Sequence, residues 1–159
     1  MRRWLLLSLA LGGCTPSPGL VMDEAPDGPS VRLEGTIDGS TASLAVVGQG
    51  LGEVFGLSLH LVFDDALVAI VAPTQEPVLG EGAVLLERVD GGDVALGGTR
   101  PSRAAGEVAI ADGLLAPVDV RARAGATTRV EIEDAVARRI DGSFVPLAAA
   151  GGTLTLEAP

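Results

Sequence analysis

Ser58 and His60 are the residues whose side chains could most readily do acid–base chemistry together. His60 is the only histidine of the 159-residue sequence, and Ser58 would share its face of an extended strand. A hydrolase needs a nucleophile, a base and an orienting carboxylate, and no Gly-x-Ser-x-Gly segment surrounds Ser58. A zinc site would need more His or Cys ligands than the chain offers. The sequence therefore predicts no catalytic residue and no enzyme activity, with His60 on the surface.

Four aspartates could provide oxygen ligands. Asp64 and Asp65 end an apolar segment, and Asp90 and Asp93 flank two glycines. Carboxylates on loops suit calcium, but Asp-Gly pairs are also ordinary turn formers. The chain has no Asp-x-Asp-x-Asp loop, so we predict no metal site and no cofactor. If calcium does bind, these four residues are the candidate ligands.

Cys14 is the only cysteine, and it follows a segment typical of secretory signals. Two arginines at positions 2 and 3 precede an apolar run at 4–11, and two glycines precede the cysteine. That run is far shorter than the roughly 20 residues of a spanning helix. Residues 1–13 are therefore predicted to direct export.

The segment Leu11-Gly12-Gly13-Cys14 resembles the lipobox of bacterial lipoproteins. The resemblance implies cleavage before Cys14, diacylglycerol on its thiol, and a fatty acid such as palmitate on the new amino terminus. Two or more acyl chains anchor a protein stably. Thr15 stands where some bacteria use Asp for inner-membrane retention. We therefore expect lipidation at Cys14 and attachment to the cell envelope, with the outer membrane favoured.

Charge excludes several partners. The formal net charge is −10, with 21 acidic residues against 11 basic ones, all of them arginine. Such a surface repels phosphate backbones, so nucleic-acid binding is not expected. It also disfavours a polybasic grip on anionic headgroups. Because the single cysteine is assigned to lipid, no intrachain disulfide is predicted.

Composition divides the rest of the chain at about residue 30. Residues 14–30 are rich in Pro, Gly and acidic residues, and they predict a flexible tether. From 31 to 159, short apolar segments with a period of two alternate with turn residues, as in Val54–Asp64. We predict about nine to ten strands forming an antiparallel, jelly-roll-like β-sandwich, an all-β fold. A helical turn at 133–140 remains an alternative to extended chain.

The order of these segments resembles that of cohesin domains. The segments that carry the resemblance are Ser43–Val47, Gly56–Asp64, Ala66–Ile70, Gly106–Ala111, the 114–123 run and Gly152–Leu156. The resemblance implies a sandwich over most of 31–158 and binding of a protein partner through one sheet face. Phe63 and Asp65 replace the family's usual Tyr and Pro, so a dockerin is not specifically predicted. The family's binding face has no short motif, and no contact residue is assigned.

Related carbohydrate-binding sandwiches provide a second hypothesis. Such modules stack sugars on Trp or Tyr, but Trp4 lies in the signal segment and the chain has no Tyr. Phe55 and Phe63 are expected on the core face, which leaves Phe144. The leading prediction is a lipid-anchored, non-enzymatic cohesin-like domain for protein interaction or adhesion at the cell envelope. The alternatives are a carbohydrate-binding module and a structural envelope protein without a discrete ligand.

A row of charged residues is expected to form a solvated outer face of one sheet. Its members are Arg121, Arg123, Arg129, Glu131 and Glu133. Exposed ion pairs of this kind contribute only about 0.2–1 kcal/mol.

Overall fold

The computed structural model describes residues 17–73 and 78–159, and these form a β-sandwich. Among them are fourteen strands and a 3₁₀ turn at Arg103–Ala105. The strands are β1 Gly19–Met22, β2 Ser30–Asp38, β3 Thr41–Gln49, β4 Gly52–Val54, β5 Gly56–Phe63, β6 Val68–Pro73, β7 Val84–Asp90, β8 Asp93–Thr99, β9 Val108–Ile110, β10 Gly113–Ala122, β11 Ala126–Arg138, β12 Phe144–Pro146, β13 Ala148–Ala150 and β14 Gly152–Leu156. The predicted fold class is confirmed. The larger strand number comes mainly from short strands that the sequence pattern does not mark.

The strands form a larger sheet, a smaller sheet and a separate two-stranded pair. The larger sheet has the order β1-β14-β11-β5-β8-β7, with β12 also paired to β11. The smaller sheet has the order β13-β2-β3-β10-β6, and β4 pairs with β9. All pairs are antiparallel except β13 with β2, which is parallel. No helix in the described part of the chain is long and apolar enough to cross a membrane.

The core lies between the two main sheets and is built almost entirely from aliphatic side chains. Along β5, Leu59, Leu61 and Phe63 are buried, whereas Ser58 is exposed and His60 is partly exposed. This alternation places one face of the strand against the core, as predicted. Each fully buried Val or Leu contributes about 1.5–3 kcal/mol of transfer free energy.

Strand β11 continues through residues 133–138, where the sequence left a helical turn open. Its pairing with β5 shifts register between Glu133 and Val136. Asp134 lies in this bulge with a φ of 49°, a left-handed conformation that Asp tolerates better than most residues. Ala135 at the end of the bulge and Ala137 beyond it are buried. The bulge therefore resets the alternation and lets the strand continue along the core.

The turn of the β7–β8 hairpin packs closely against the end of β5, and two glycines in that turn make this possible. Gly91 has a φ of 60°, which glycine adopts without steric cost. The Phe63 N–H donates to the Gly92 carbonyl at 2.7 Å. A Cβ at Gly92 would lie 2.1 Å from the Phe63 oxygen. Only glycine at position 92 allows these two segments of the backbone to come so close.

The domain begins earlier than the sequence predicted, because β1 lies inside the expected tether of residues 14–30. Strand β1 pairs with β14 from Gly19 opposite Thr155 to Met22 opposite Gly152. Leu20 packs against the core. A free edge of β14 would leave backbone groups unpaired, and β1 satisfies them. Composition alone did not indicate this pairing, since Gly19–Met22 is short and is flanked by Pro and acidic residues.

An ion pair follows β1 directly and holds the chain on the larger sheet. Arg129 donates from Nη1 to Asp23 Oδ1 at 2.8 Å and from Nη2 to Asp23 Oδ2. The Asp23 N–H donates to the Gly151 carbonyl at 3.0 Å. The hydrogen bond from Arg129 lowers the pKa of Asp23 below its ordinary value of 3.8. The same pairing raises the pKa of Arg129.

We expect the attachment of β1 to weaken in acid. When β1 is detached, Asp23 loses Arg129 and binds a proton more readily than it does in the folded domain. The ion pair therefore stabilises the attachment of β1 fully above pH 3.8. That contribution is lost as the pH falls through the lowered pKa. Amide hydrogen exchange at residues 19–22 should therefore accelerate at pH 3 relative to pH 5, after correction for intrinsic rates.

The variant Asp23→Asn should show several-fold faster exchange at residues 19–22 already at pH 5. Its matched control, Asp27→Asn, changes an exposed carboxylate of the same segment and should behave as the unaltered protein. Equal exchange in the two variants would contradict a role for the Asp23–Arg129 pair.

Candidate functional site

The outer surface of the larger sheet has a continuous face across β5, β8 and β7. Residues paired across antiparallel strands lie on the same side, and Leu59, Leu61, Val94 and Leu96 face the core. The opposite side is the β5–β8–β7 face. It consists of Ser58, His60 and Val62 on β5, Asp93, Ala95 and Gly97 on β8, and Val84, Leu86 and Arg88 on β7.

His60 lies near the centre of this face and is held by a carboxylate. Its Nδ1 lies 2.9 Å from Asp93 Oδ1 and 3.2 Å from Oδ2. Arg88 Nη2 approaches Asp93 Oδ2 from the other side at 3.8 Å. On β11, Glu133 is the direct cross-strand neighbour of His60. Both side chains of the His60–Asp93 pair are about one-third exposed, so a docking molecule could reach them.

The β7 side of the face is apolar. Val84 and Leu86 point outward and are 49% and 65% exposed. Neighbouring Gly97 and Ala95 have little or no side chain, so the sheet between Leu86 and β5 is flat. Exposed aliphatic residues beside polar groups occur on surfaces that bind other proteins, because such interfaces combine apolar and polar area.

In the described residues this face is a flat surface, and the depression that reaches it at Val62 is wide and open. An apolar cavity behind it, between the sheets, measures only about 30 Å³ and is lined by residues such as Leu57, Leu79 and Leu96. That is about enough room for one water, and apolar cavities stay dry. The geometry therefore suits contact with another macromolecular surface better than enclosure of a ligand of 300–1,000 Å³, the usual range.

Ser58 and His60, which the sequence analysis considered as a catalytic pair and discounted, share one face as expected. The hydrogen bonds of His60 go to Asp93, and none joins it to Ser58 in the described structure. Sequence reasoning proposed Asp93 only as a calcium ligand and missed it as the partner of His60. The register between β5 and β8 brings His60 and Asp93 together. The two residues are 33 positions apart in the sequence, so no short motif could have indicated their contact.

The candidate calcium ligands occupy one end of the sandwich without forming a metal site. Asp64 accepts the Ala66 N–H at 3.0 Å, as an ordinary turn-capping carboxylate does. Asp65 approaches Gly91 of the β7–β8 hairpin, and Asp93 is occupied by His60 and Arg88. Within residues 17–73 and 78–159, no three His, Cys, Asp or Glu residues are grouped to hold a metal ion.

The predicted charged row is divided between the two sheets. Arg121 lies on β10 of the smaller sheet and Arg123 follows that strand, whereas Arg129, Glu131 and Glu133 lie on β11 of the larger sheet. The expectation of a single sheet face was wrong, because the turn after β10 crosses from one sheet to the other. All five residues are exposed, as expected. Arg129 pairs with Asp23 and lies 3.7 Å from Glu131.

Phe55 and Phe63 are buried, as the alternation predicted, and Phe144 on β12 is 65% exposed. Cys14, the predicted lipidation site, lies outside the described residues.

Comparison with known proteins gives a fold relationship without close sequence similarity. No protein-family model matches the sequence, and no curated protein is significantly similar to it. The sixth cohesin of Acetivibrio cellulolyticus scaffoldin B, solved with a Cel5 dockerin, superposes with a TM-score of 0.67 at 13% identity. The match covers 82% of this chain and 99% of that one.

Two further cohesins have a similar fold. The OlpC cohesin of Clostridium thermocellum, solved with the Doc435 dockerin, gives a TM-score of 0.68 at 11% identity over 85% of this chain and 97% of its own. A non-cellulosomal cohesin from the archaeon Archaeoglobus fulgidus gives a TM-score of 0.62 at 16% identity. That match covers 82% of this chain and 92% of the archaeal one. These similarities extend over more than four-fifths of the chain, which therefore has a cohesin-like β-sandwich fold.

Proposed function

We propose that this protein is a lipid-anchored cell-envelope protein whose cohesin-like domain binds another protein without catalysis. The observation that carries the proposal is the β5–β8–β7 face, where exposed Val84 and Leu86 adjoin the His60–Asp93 pair. The cohesins of Acetivibrio cellulolyticus and Clostridium thermocellum were solved with dockerin partners. A protein partner therefore fits both the fold and the surface.

The charges of the face restrict the partner. Asp93 lies beside His60, and Glu131 and Glu133 are exposed along the neighbouring strand β11. Arg88 is the cation of this group on β7. A partner with a basic side chain opposite the carboxylates and an aliphatic patch opposite Leu86 would be complementary. Acidic partners and nucleic acids would be repelled.

A bulky cation at the centre of the face should abolish this interaction. Ser58 is exposed and lies beside Gly97, so Ser58→Arg would fill the flat part of the face without disturbing the core. We expect recovery of the partner with the purified, detergent-extracted protein to fall at least about tenfold, as for loss of a central contact of 1.4 kcal/mol or more.

The matched control is Thr36→Arg, at an exposed position of β2 on the outer side of the smaller sheet. It adds the same side chain to a strand of the same domain and should leave recovery unchanged. If Thr36→Arg abolishes recovery while Ser58→Arg does not, the binding surface lies on the other sheet.

The proposed anchor rests on Cys14 and the signal-like segment before it. Cys14→Ala should prevent incorporation of radiolabelled palmitate and release the protein from the outer-membrane fraction, because no acyl chain would then be attached. Thr15→Ala, the control at the next position, should remain membrane-bound. Detergent-dependent fractionation of Cys14→Ala would contradict lipid anchoring.

Glycan binding is the second candidate, and exposed Phe144 is the observation that favours it. An aromatic ring at the surface can stack on a sugar. If sugars bind there, signals on a glycan array should disappear in Phe144→Ala and persist in Ser58→Arg. We expect no array signal from the unaltered domain, and a Phe144-dependent signal would reverse the ranking of the two candidates.

A further inference from the structure

Strand β1 limits how far the domain can lie from its proposed anchor. Gly19, the first residue of β1, is five positions after Cys14. Even fully extended, five residues reach at most about 18 Å. A tether extending to Ser30, as composition suggested, would have allowed about 55 Å. The folded segment therefore keeps one part of the sandwich close to the lipid.

That part is one end of the molecule, which we name the anchor-side end. It contains the turns at 39–40, 64–67, 91–92 and 123–125 together with residues 156–159. Gly125 and Leu156 line a shallow cleft with Ser17 and Pro18. The Glu157 N–H donates to the Gly39 carbonyl at 3.1 Å. These contacts place the start of the described chain among the turns of this end.

The opposite end of the sandwich cannot be the end that rests on the membrane, because the anchor-side end would then lie too far from the lipid. Strand β11 has thirteen residues, and at about 3.3 Å per residue it spans roughly 40 Å. If the far end rested on the membrane, Gly19 would lie about twice as far from the surface as the link can reach. The short link therefore excludes an inverted orientation.

Charge does not favour the anchor-side end over the broad sides of the sandwich. The outer side of the larger sheet has exposed Glu131, and that of the smaller sheet has exposed Asp119 and Arg121. The anchor-side end has exposed Asp64 and Asp65. The length of the link, and not charge, therefore determines which end lies near the lipid.

We propose that the anchor-side end is the part of the domain nearest the bilayer and that the opposite end lies farther from it. This inference rests on the proposed lipid attachment at Cys14. It adds that the bilayer lies beside a defined end of the domain.

The chain offers a matched pair of labelling positions for testing the orientation. Ala124 and Ala111 are exposed alanines in the turns on either side of ten-residue β10. At about 3.3 Å per residue they lie roughly 35–40 Å apart along the strand direction. Because Cys14 is the only cysteine and its thiol would carry lipid, Ala124→Cys and Ala111→Cys each provide one reactive thiol.

The experiment measures resonance energy transfer from a dye on each thiol to acceptor-labelled headgroups in vesicles that carry the intact lipidated protein. We expect transfer from position 124 to exceed that from position 111 by about twofold or more, given the two distances. Equal transfer, or greater transfer from 111, would overturn the proposed orientation.

A second variant tests the short link itself. Twelve Gly and Ser residues inserted between Ser17 and Pro18 should lower transfer from position 124 and reduce the difference between the two positions. An unchanged difference would contradict control by the link. If neither labelled protein floats with vesicles, the anchor proposal fails, and the orientation fails with it. Flotation with equal transfer refutes the orientation alone.

Discussion

The packing of aliphatic side chains between two sheets is the interaction on which the rest of this structure depends. The chain has one cysteine and no tyrosine, and the predicted signal contains its tryptophan. Buried leucine, valine and alanine therefore supply most of the core between the sheets. Within the larger sheet, Gly92 permits the close approach of the β7–β8 hairpin to the end of β5.

That constraint also determines what the domain can present to a partner. On β5, burial of Leu59 and Leu61 leaves Ser58, His60 and Val62 on the outer side. Register with β8 then brings Asp93 to His60, and β7 adds apolar Val84 and Leu86. The resulting face is flat and mixed in polarity, which suits a protein surface. Its chemistry is thus a consequence of strand pairing and not of a local motif.

The sequence predicted the features that depend on local alternation and missed those that depend on pairing. The buried positions of β5 follow directly from a period of two. Strand β1 was missed, since four residues in a Pro-rich segment become a strand only beside β14. The bulge at Asp134 and the His60–Asp93 contact likewise require a partner strand. The tether prediction failed for the same reason, and its correction brings the domain close to the proposed anchor.

The central claim is that the β5–β8–β7 face, and not the outer side of the smaller sheet, contacts a protein partner. A photo-crosslinking amino acid at Ala95 of β8 tests it most directly, with the same substitution at Ala45 of β3 as the matched position. Both alanines are partly exposed on the outer sides of their sheets. Irradiation of intact cells should produce a discrete protein adduct from position 95 and none from position 45. An adduct from position 45 alone would contradict the account.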